Sequence, residues 1–237
     1  MEHQNYTHHA DGEALSCTSV APTGEARPGQ VVIMHGAGTG SKERMIPLAE
    51  SFAAAGHGVV TFDFSGHGTS SGQLSALSLE RRFLQAQSVI ETLAPAGQLI
   101  LVGFSMSGQT VADLLTHLSE RVTTIVLAAP AAYAPEAWKL PFGPGSGFSE
   151  LIRTPRSWMT SSAFGTYASF AGRSVLVKPE HDEVIPPGVT ARIEAALRKK
   201  SRLTTIIPPG SPHTLGQWLA EHPNDREQIV AAALDTP

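Results

Sequence analysis

One stretch of sequence constrains the fold of this chain more than any other. Residues 99–102 are four consecutive apolar residues, and they lead through the turn sequence Gly-Phe-Ser-Met-Ser-Gly (103–108) into a segment with helical character that reaches Leu118. A short continuous apolar run is typical of a strand that is buried on both faces. A strand that passes into a helix through so short a turn needs small residues beside the turn, because the two backbone segments approach closely there.

The same order of apolar run, turn and helical periodicity recurs along the chain. The predicted strands cover residues 13–20, 31–34, 58–64, 99–102, 122–128, 174–178 and 203–207. The predicted helices include 79–93, 109–118, 189–199 and 215–233, and a further helix carries apolar residues between 45 and 52 and stops at Gly56. Strands that alternate with helices predict an α/β fold, a mostly parallel, doubly wound sheet of about eight strands with helices on both faces.

Length and charge restrict the class of protein. A chain of 237 residues is expected to form one domain, here spanning residues 1–237, with a sizeable core. The formal net charge is −4 and there is no basic block, which argues against nucleic acid or an anionic membrane surface as a partner. No apolar run approaches the ~20 residues of a membrane-spanning helix, and the N-terminus lacks a signal pattern, so we expect a cytoplasmic protein.

The N-terminal residues are polar and carry three histidines close together, His3, His8 and His9. We interpret residues 1–11 as a frayed terminus in preference to a metal site. Cys17 is the one cysteine, so an intramolecular disulfide and a zinc site of several thiolates are excluded. Cys17 fits a structural position in an early strand, and no metal site is predicted.

A long connection separates two of the predicted strands. Residues 131–170 are rich in proline and glycine and hold eight of the fifteen aromatic residues. A connection of this length is usually functional, often a lid, and we predict a small cap over the site in preference to a helical excursion with its own core. Its aromatic residues, among them Tyr133, Trp138 and Phe142, are then expected to line an apolar substrate pocket.

Ser105 lies between small residues at the junction of strand and helix, which is the pattern of a nucleophile elbow. The plainer alternative is an ordinary turn with a capping serine. A neutral serine is a poor nucleophile and needs a base, which in turn needs an acid to orient it. In hydrolases with such an elbow these residues follow in the order Ser, acid, His, each after a strand.

The later loops supply both partners in that order. Three carboxylates follow the strand at 174–178, namely Glu180, Asp182 and Glu183. His213 is the one histidine in the loop after the last strand, whereas His222 lies in or beyond the final helix.

A developing oxyanion also needs hydrogen-bond donors. The N–H of Met106, directly after the serine, can supply one donor. The loop His-Gly-Ala-Gly (35–38) can supply the second, since glycines such as Gly36 let the backbone approach the substrate oxygen. His35 itself fits a structural residue that hydrogen-bonds within this loop.

These motifs together resemble the α/β-hydrolase fold superfamily from about residue 30 to the end of the chain. The likeness rests on the sequences at 35–38, 63–70, 103–108 and 181–186 and on the isolated His213. The resemblance implies Asp182 as the acid, Ala37 and Met106 as the oxyanion donors, and structural roles for Asp63 and His67. The chain departs from the common pattern at Ser107, where the family usually has glycine, and in its short cap.

The function expected from these residues is a serine hydrolase that cleaves a small-molecule carboxylic ester or thioester through an acyl-enzyme. Ser105 attacks, His213 transfers the proton and Asp182 orients the imidazole, so the reaction requires no metal or organic cofactor. Two other classes stay open: an acyltransferase, cyclase or lyase on the same fold, and a ligand-binding module without catalysis.

Overall fold

Eight strands form one sheet in the computed structural model of the chain, which describes residues 1–234. The last three residues of the predicted domain, 235–237, lie outside the described residues. The strands are β1 (His3–Ala10), β2 (Glu13–Val20), β3 (Gln30–Met34), β4 (Gly58–Phe62), β5 (Leu99–Phe104), β6 (Val122–Ala128), β7 (Arg173–Val177) and β8 (Arg202–Ile206). Their spatial order is β1-β2-β4-β3-β5-β6-β7-β8.

The sheet is mostly parallel, as predicted. Strands β3 to β8 all run in one direction, while β2 is antiparallel to both β1 and β4. Parallel strands place their carboxyl ends at one edge of the sheet, which is where ligands bind in folds of this type. The loops after β3, β5, β7 and β8 therefore meet at that edge.

Eight α-helices lie in the described part of the chain. They are α1 (Ile46–Ala54), α2 (Leu79–Leu93), α3 (Ser107–Leu118), α4 (Phe148–Arg153), α5 (Ala163–Ser169), α6 (Pro187–Leu197), α7 (Leu215–Glu221) and α8 (Pro223–Leu234). The buried side chains divide into one core with α1, α7 and α8 and another with α2, α3, α5 and α6. The sheet is thus covered on both faces, which explains why its strands read as continuous apolar runs.

Successive side chains of a strand pack alternately into the two cores. On β3, Val32 and Met34 face one core, Val31 and Ile33 face the other, and all four are fully buried. Successive side chains of a strand point to opposite faces, so each needs an apolar partner layer. This burial fixes the ends of the strands, and hence the loops that carry the polar residues.

The interpretation of residues 1–11 as a frayed terminus is wrong. Residues 3–10 form β1, paired along its whole length with β2 through a two-residue turn at Asp11 and Gly12. Both turn residues have positive φ angles, 53° and 75°, as tight hairpin turns require. The strand lies at the sheet edge and is mostly exposed, so it lacks the apolar periodicity that marks the other strands.

The predicted final helix is two helices. The segment predicted as 215–233 breaks at His222, because Pro223 begins α8 and a proline cannot continue the hydrogen-bonding of the preceding turn. The His222 ring stacks on Trp218, with 3.6 Å between ring centroids.

The 131–170 segment forms short helical pieces against the main body. It contains α4, α5 and 3₁₀ turns at 135–137 and 157–160. The N–H of Phe142 donates to Leu77 and the N–H of Glu80 donates to Trp138, so the segment is tied to the start of α2. Its role as a cap stays a prediction.

Within residues 1–234, no helix is long and apolar enough to cross a bilayer. In the same range, no group of three His, Cys, Asp or Glu side chains is arranged to hold a metal ion.

Candidate active site

The turn after β5 holds Ser105 in an unusual backbone conformation. Its φ is 50°, a region that residues other than glycine seldom adopt. The surrounding backbone maintains this conformation: the Ser105 N–H donates to Ala128 over 2.8 Å, and the Ser105 carbonyl accepts from Gly108 over 2.8 Å and Ala131 over 2.9 Å. Strain of this kind persists where the structure over-determines it, commonly at functional sites.

Two glycines beside the turn are required by close packing. A Cβ at Gly103 would lie 2.6 Å from the Ser107 carbonyl oxygen, and one at Gly108 would lie 2.7 Å from Cβ of Pro130. Neither position can accept a side chain without moving backbone. The structure thus shows the steric reason for the small residues noted in the sequence.

The structure brings the three residues predicted as a catalytic triad into one hydrogen-bonded chain. Ser105 Oγ lies 3.0 Å from His213 Nε2, and His213 Nδ1 lies 3.0 Å from Asp182 Oδ1. An ionised carboxylate can only accept, so Nδ1 donates to Asp182 and Nε2 is left to accept from the serine hydroxyl. This is the tautomer that a general base acting on Ser105 needs.

Geometry separates the three competing carboxylates. Asp182 contacts His213, whereas Glu180 Oε2 accepts from the N–H of Gly210 over 2.6 Å and holds the loop that carries His213. Glu183 is exposed. The backbone of His181 also pairs with that loop, donating to Ser211 over 2.9 Å. The acid loop and the histidine loop are therefore bound directly to each other.

Asp182 is held in its ionised form. Its burial would raise the pKa of the carboxyl group, but hydrogen bonds from His213 and from the N–H groups of Ile185 and Val184 lower it below its ordinary value. The two backbone bonds, both 2.9 Å, also fix the carboxylate's position. Asp182 is therefore fixed in both position and charge.

The loop after β3 approaches Ser105 closely. A Cβ at Gly36 would lie 3.1 Å from Cβ of Ser105, so a side chain here would crowd the hydroxyl. His35 is fully buried and organises the loop: its Nδ1 donates to the Gly36 carbonyl over 2.6 Å, and its Nε2 accepts from Phe64 over 3.1 Å. Because the N–H of a trans peptide points opposite to its carbonyl, the N–H of Ala37 is directed away from the His35 ring.

Ser107 has a structural use at the position where the family usually has glycine. Its Oγ donates to the His35 carbonyl over 2.6 Å and accepts from Arg82 Nη2 over 2.7 Å. Arg82 also donates to the His35 carbonyl over 2.8 Å, and its guanidinium lies 3.7 Å above the centre of the Phe64 ring. The serine turn and the loop after β3 are thus tied together by a fully buried cation.

The predicted pocket residues divide between two cavities. Ser105, His213, Gly36 and Ala37 line a cleft of about 100 Å³. Tyr133 and Trp138 line a separate cavity of about 340 Å³. Both aromatic rings also pack with Phe142 in the apolar cluster that contains Met106 and Ala37. The assignment of these residues to substrate binding stays a prediction.

Three polar residues of α2 and α3, Arg82, Gln109 and Asp113, have no role predicted from the sequence. The structure buries Arg82 and Gln109 and partly buries Asp113. A signal was present for Arg82, since it follows Leu79 by three residues and precedes Ala86 by four, on the buried stripe of α2. A charged residue on an apolar stripe marks either a buried network or a functional group.

Comparison with known sequences identifies the family. The profile described as "Serine aminopeptidase, S33" of the Hydrolase_4 group matches residues 25–154, more than half of the chain. The chain belongs to this hydrolase family. The matched part of the hydrolase includes the turn around Ser105 and the loop after β3. No curated protein sequence matches the chain.

Solved structures share the fold of this hydrolase over nearly its whole length. Est1E from Butyrivibrio proteoclasticus, solved with ferulic acid, is 17% identical with a TM-score of 0.73, covering 97% of this chain and 99% of its own. A thioesterase domain from the curacin biosynthetic pathway is 16% identical with a TM-score of 0.72, covering 98% and 100%. A meta-cleavage product hydrolase from Pseudomonas fluorescens is 14% identical with a TM-score of 0.72, covering 98% of both chains. These likenesses confirm the α/β-hydrolase fold.

Proposed function

We propose that this hydrolase cleaves a carboxylic ester or thioester with Ser105 as nucleophile, His213 as general base and Asp182 as the orienting acid. The observation that carries the proposal is the continuous hydrogen-bonded chain from Asp182 through His213 to Ser105. Family membership supports a hydrolase, and the strained φ of Ser105 supports a nucleophile that is held away from the sheet.

The reaction proceeds in two steps. The Ser105 hydroxyl adds to the substrate carbonyl as His213 Nε2 takes its proton, and the same imidazolium then protonates the leaving alcohol or thiol. Water, deprotonated in turn by His213, adds to the carbonyl of the acyl-enzyme. The imidazolium then returns the proton to the Ser105 oxygen as the acid leaves. Asp182 stays ionised throughout and stabilises the imidazolium, in agreement with its lowered pKa.

The oxyanion of the tetrahedral intermediate is stabilised by the N–H groups of Ala37 and Met106. Met106 directly precedes α3, whose N-terminal end carries a partial positive charge. The orientation of Ala37 is supported by the hydrogen bond from His35 to the Gly36 carbonyl. The apolar cluster of Met106, Tyr133, Trp138 and Phe142 favours an acyl or aryl group over a sugar or a strongly charged substrate.

A fluorophosphonate probe tests the nucleophile directly. We expect wild-type protein to be labelled covalently and Ser105→Ala to be unlabelled. Ser107→Ala is the matched control, since this hydroxyl bonds to Arg82 and His35 and not to His213, and it should stay labelled. Folded wild-type protein that takes up no probe would favour the binding-module alternative.

The substrate class is tested by turnover of p-nitrophenyl esters, acyl thioesters and aminoacyl anilides in parallel. The anilides are included because the family profile is named for aminopeptidases. We expect the esters or thioesters to be cleaved and the anilides to be poor substrates. Turnover that requires an added alcohol or amine would instead indicate an acyltransferase.

A further inference from the structure

The larger of the two cavities has a lining that suggests a ligand of its own. It has a volume of about 340 Å³ and lies between α2, α3 and the start of the 131–170 segment. The side chains that matter here are Phe83, Gln109, Asp113, His117, Tyr133 and Trp138. Ser105 and His213 line the other cleft, so this cavity is separate from the proposed catalytic residues.

Aromatic rings form much of its wall. The Phe83 ring lies 5.1 Å from the His117 ring and 5.9 Å from the Trp138 ring, measured between centroids. Tyr133 adds a further ring. The faces of such rings attract cations, and several rings around one space recognise quaternary ammonium groups.

The carboxylate of Asp113 borders the same space. Asp113 Oδ1 accepts from Gln109 Nε2 over 2.9 Å, while its buried Oδ2 has no hydrogen-bond partner among the described residues. Burial raises the pKa of Asp113 to about 7, and the Gln109 hydrogen bond lowers it only in part. A bound cation would supply the charge that the described surroundings of Asp113 lack.

The cation that fits is one without N–H donors. The oxygen of Gln109 already accepts from the Tyr133 N–H over 3.0 Å and from Ser161 over 3.1 Å, and Asp113 Oδ1 accepts from Gln109. Asp113 Oδ2 is unpartnered among the described residues but closed to solvent, so an N–H donor in the cavity cannot reach it, and a primary ammonium would lose water here without replacing its hydrogen bonds. A quaternary ammonium makes no hydrogen bonds in water and loses none.

We propose that this cavity is a binding site for a small quaternary ammonium compound, with its methyl groups against the rings of Phe83, Tyr133 and Trp138 and its charge facing Asp113. The site works independently of Ser105. It shares Tyr133 and Trp138 with the apolar cluster proposed above to favour an acyl or aryl group, but it does not require the ester or thioester chemistry.

Within residues 1–234, no charged side chain of the neighbouring helices is paired with Asp113. Arg82 on α2 is directed to the His35 carbonyl and the Phe64 ring. Tyr167 on α5 donates to the Gly108 carbonyl, and burial raises the pKa values of both Tyr167 and Tyr133, so these phenols stay neutral. His117 is the other ionisable side chain at the cavity and is the position for a control.

Calorimetric titration with choline tests the proposal. Two compounds serve for comparison: the uncharged analogue, in which a tert-butyl group replaces the trimethylammonium group, and ethanolamine, which is the corresponding primary amine. At about pH 8 we expect choline to bind at least ~10-fold more tightly than either compound. Its affinity should rise by about 10-fold between pH 6 and pH 8, as Asp113 ionises. Equal affinities for choline and the uncharged analogue, or no binding of choline, would overturn the proposal.

Variants identify the side chains that bind the ammonium group. Asp113→Asn should remove the preference for choline over the uncharged analogue. Trp138→Leu should weaken the binding of choline without changing the pH dependence of that binding. His117→Asn is the matched control and should leave the preference intact. The same titration on Ser105→Ala should match wild type, so the outcome is independent of whether the protein hydrolyses esters. A preference for choline that survives Asp113→Asn would contradict the proposal.

Discussion

Asp182 and Asp113 are two partly buried aspartates in one protein, and their pKa values move in opposite directions. Asp182 follows β7 and accepts hydrogen bonds from His213 and from two backbone N–H groups. Asp113 lies within α3 and accepts one, from the Gln109 amide, and its second oxygen has no partner in the part of the chain that the structure describes. The pKa of Asp182 is lowered and that of Asp113 is raised to about 7.

The difference shows that the supply of donors, and not burial by itself, decides the charge of a carboxyl group here. Burial disfavours the ionised form of both residues. A loop at the end of a strand can offer free backbone N–H groups, whereas the N–H groups within a helix are already used by the helix itself. A carboxylate on α3 must therefore find side chains or a ligand.

The largest expected effect separates the two residues by activity. Asp182→Asn should lower the kcat of ester turnover on the order of 10⁴-fold, because the amide favours the wrong tautomer of His213. Asp113→Asn, the same chemical change, should leave kcat within about 3-fold, since Asp113 touches none of the proposed catalytic groups. Steady-state kinetics on both variants measures this. A large loss at Asp113, or a large loss in Glu180→Gln with none in Asp182→Asn, would reverse the assignment.

The second effect concerns the pH dependence of stability. Asp113 has a raised pKa in the folded state, so its contribution to stability is fully present below about pH 4 and is lost as pH rises through about 7. Asp113→Asn removes this titration. The free energy of unfolding of the variant minus that of wild type should therefore be larger at pH 8 than at pH 4, by about 2–4 kcal/mol.

Asp182 should behave in the opposite sense. Its lowered pKa gives stability that is present above its unfolded value and is lost as pH falls through the folded value. Urea unfolding of wild type and of both Asn variants at several pH values measures the two slopes. If the two residues contributed pH dependences of stability with the same sign, the contrast between Asp182 and Asp113 would be wrong.

The smallest effect tests donor supply at an uncharged group. Ser107→Gly removes one of two donors to the His35 carbonyl and leaves the bond from Arg82. We expect a loss of about 1 kcal/mol in stability and a modest fall in kcat, with KM nearly unchanged. Thermal unfolding and kinetics provide both readings. A fall in kcat as large as that in Asp182→Asn would mean that the hydrogen bond from Arg82 is not sufficient to hold the loop after β3.

Local sequence patterns were sufficient for most of the fold. Seven of the eight strands and helix α2 could be predicted because continuous burial of a parallel sheet imposes apolar runs that are visible in the chain. Strand β1 could not, because an exposed edge strand is held by backbone hydrogen bonds, which any residue other than proline can donate and accept. The Asp-Gly pair at 11–12 was the one local sign of its hairpin.

The candidate site divides in the same way. Ser105 and His213 could be singled out from their positions after apolar strands, since chain order and strand ends are written along the sequence. The choice of Asp182 over Glu180 and Glu183 rested on a resemblance, because three neighbouring carboxylates look equivalent until the loops are placed. The structure distinguishes them by the hydrogen bond to His213 and by the bond from Gly210 to Glu180.

By itself, then, the sequence determined the α/β class, the order of strands and helices and the turn around Ser105, all of which follow from local burial and local sterics. Tertiary structure alone decided the environment of each charge. It buried Arg82 against Phe64 and Ser107, left Asp113 beside an aromatic cavity, and surrounded Asp182 with donors. Electrostatic environments depend on groups that are distant along the chain, so no local pattern records them.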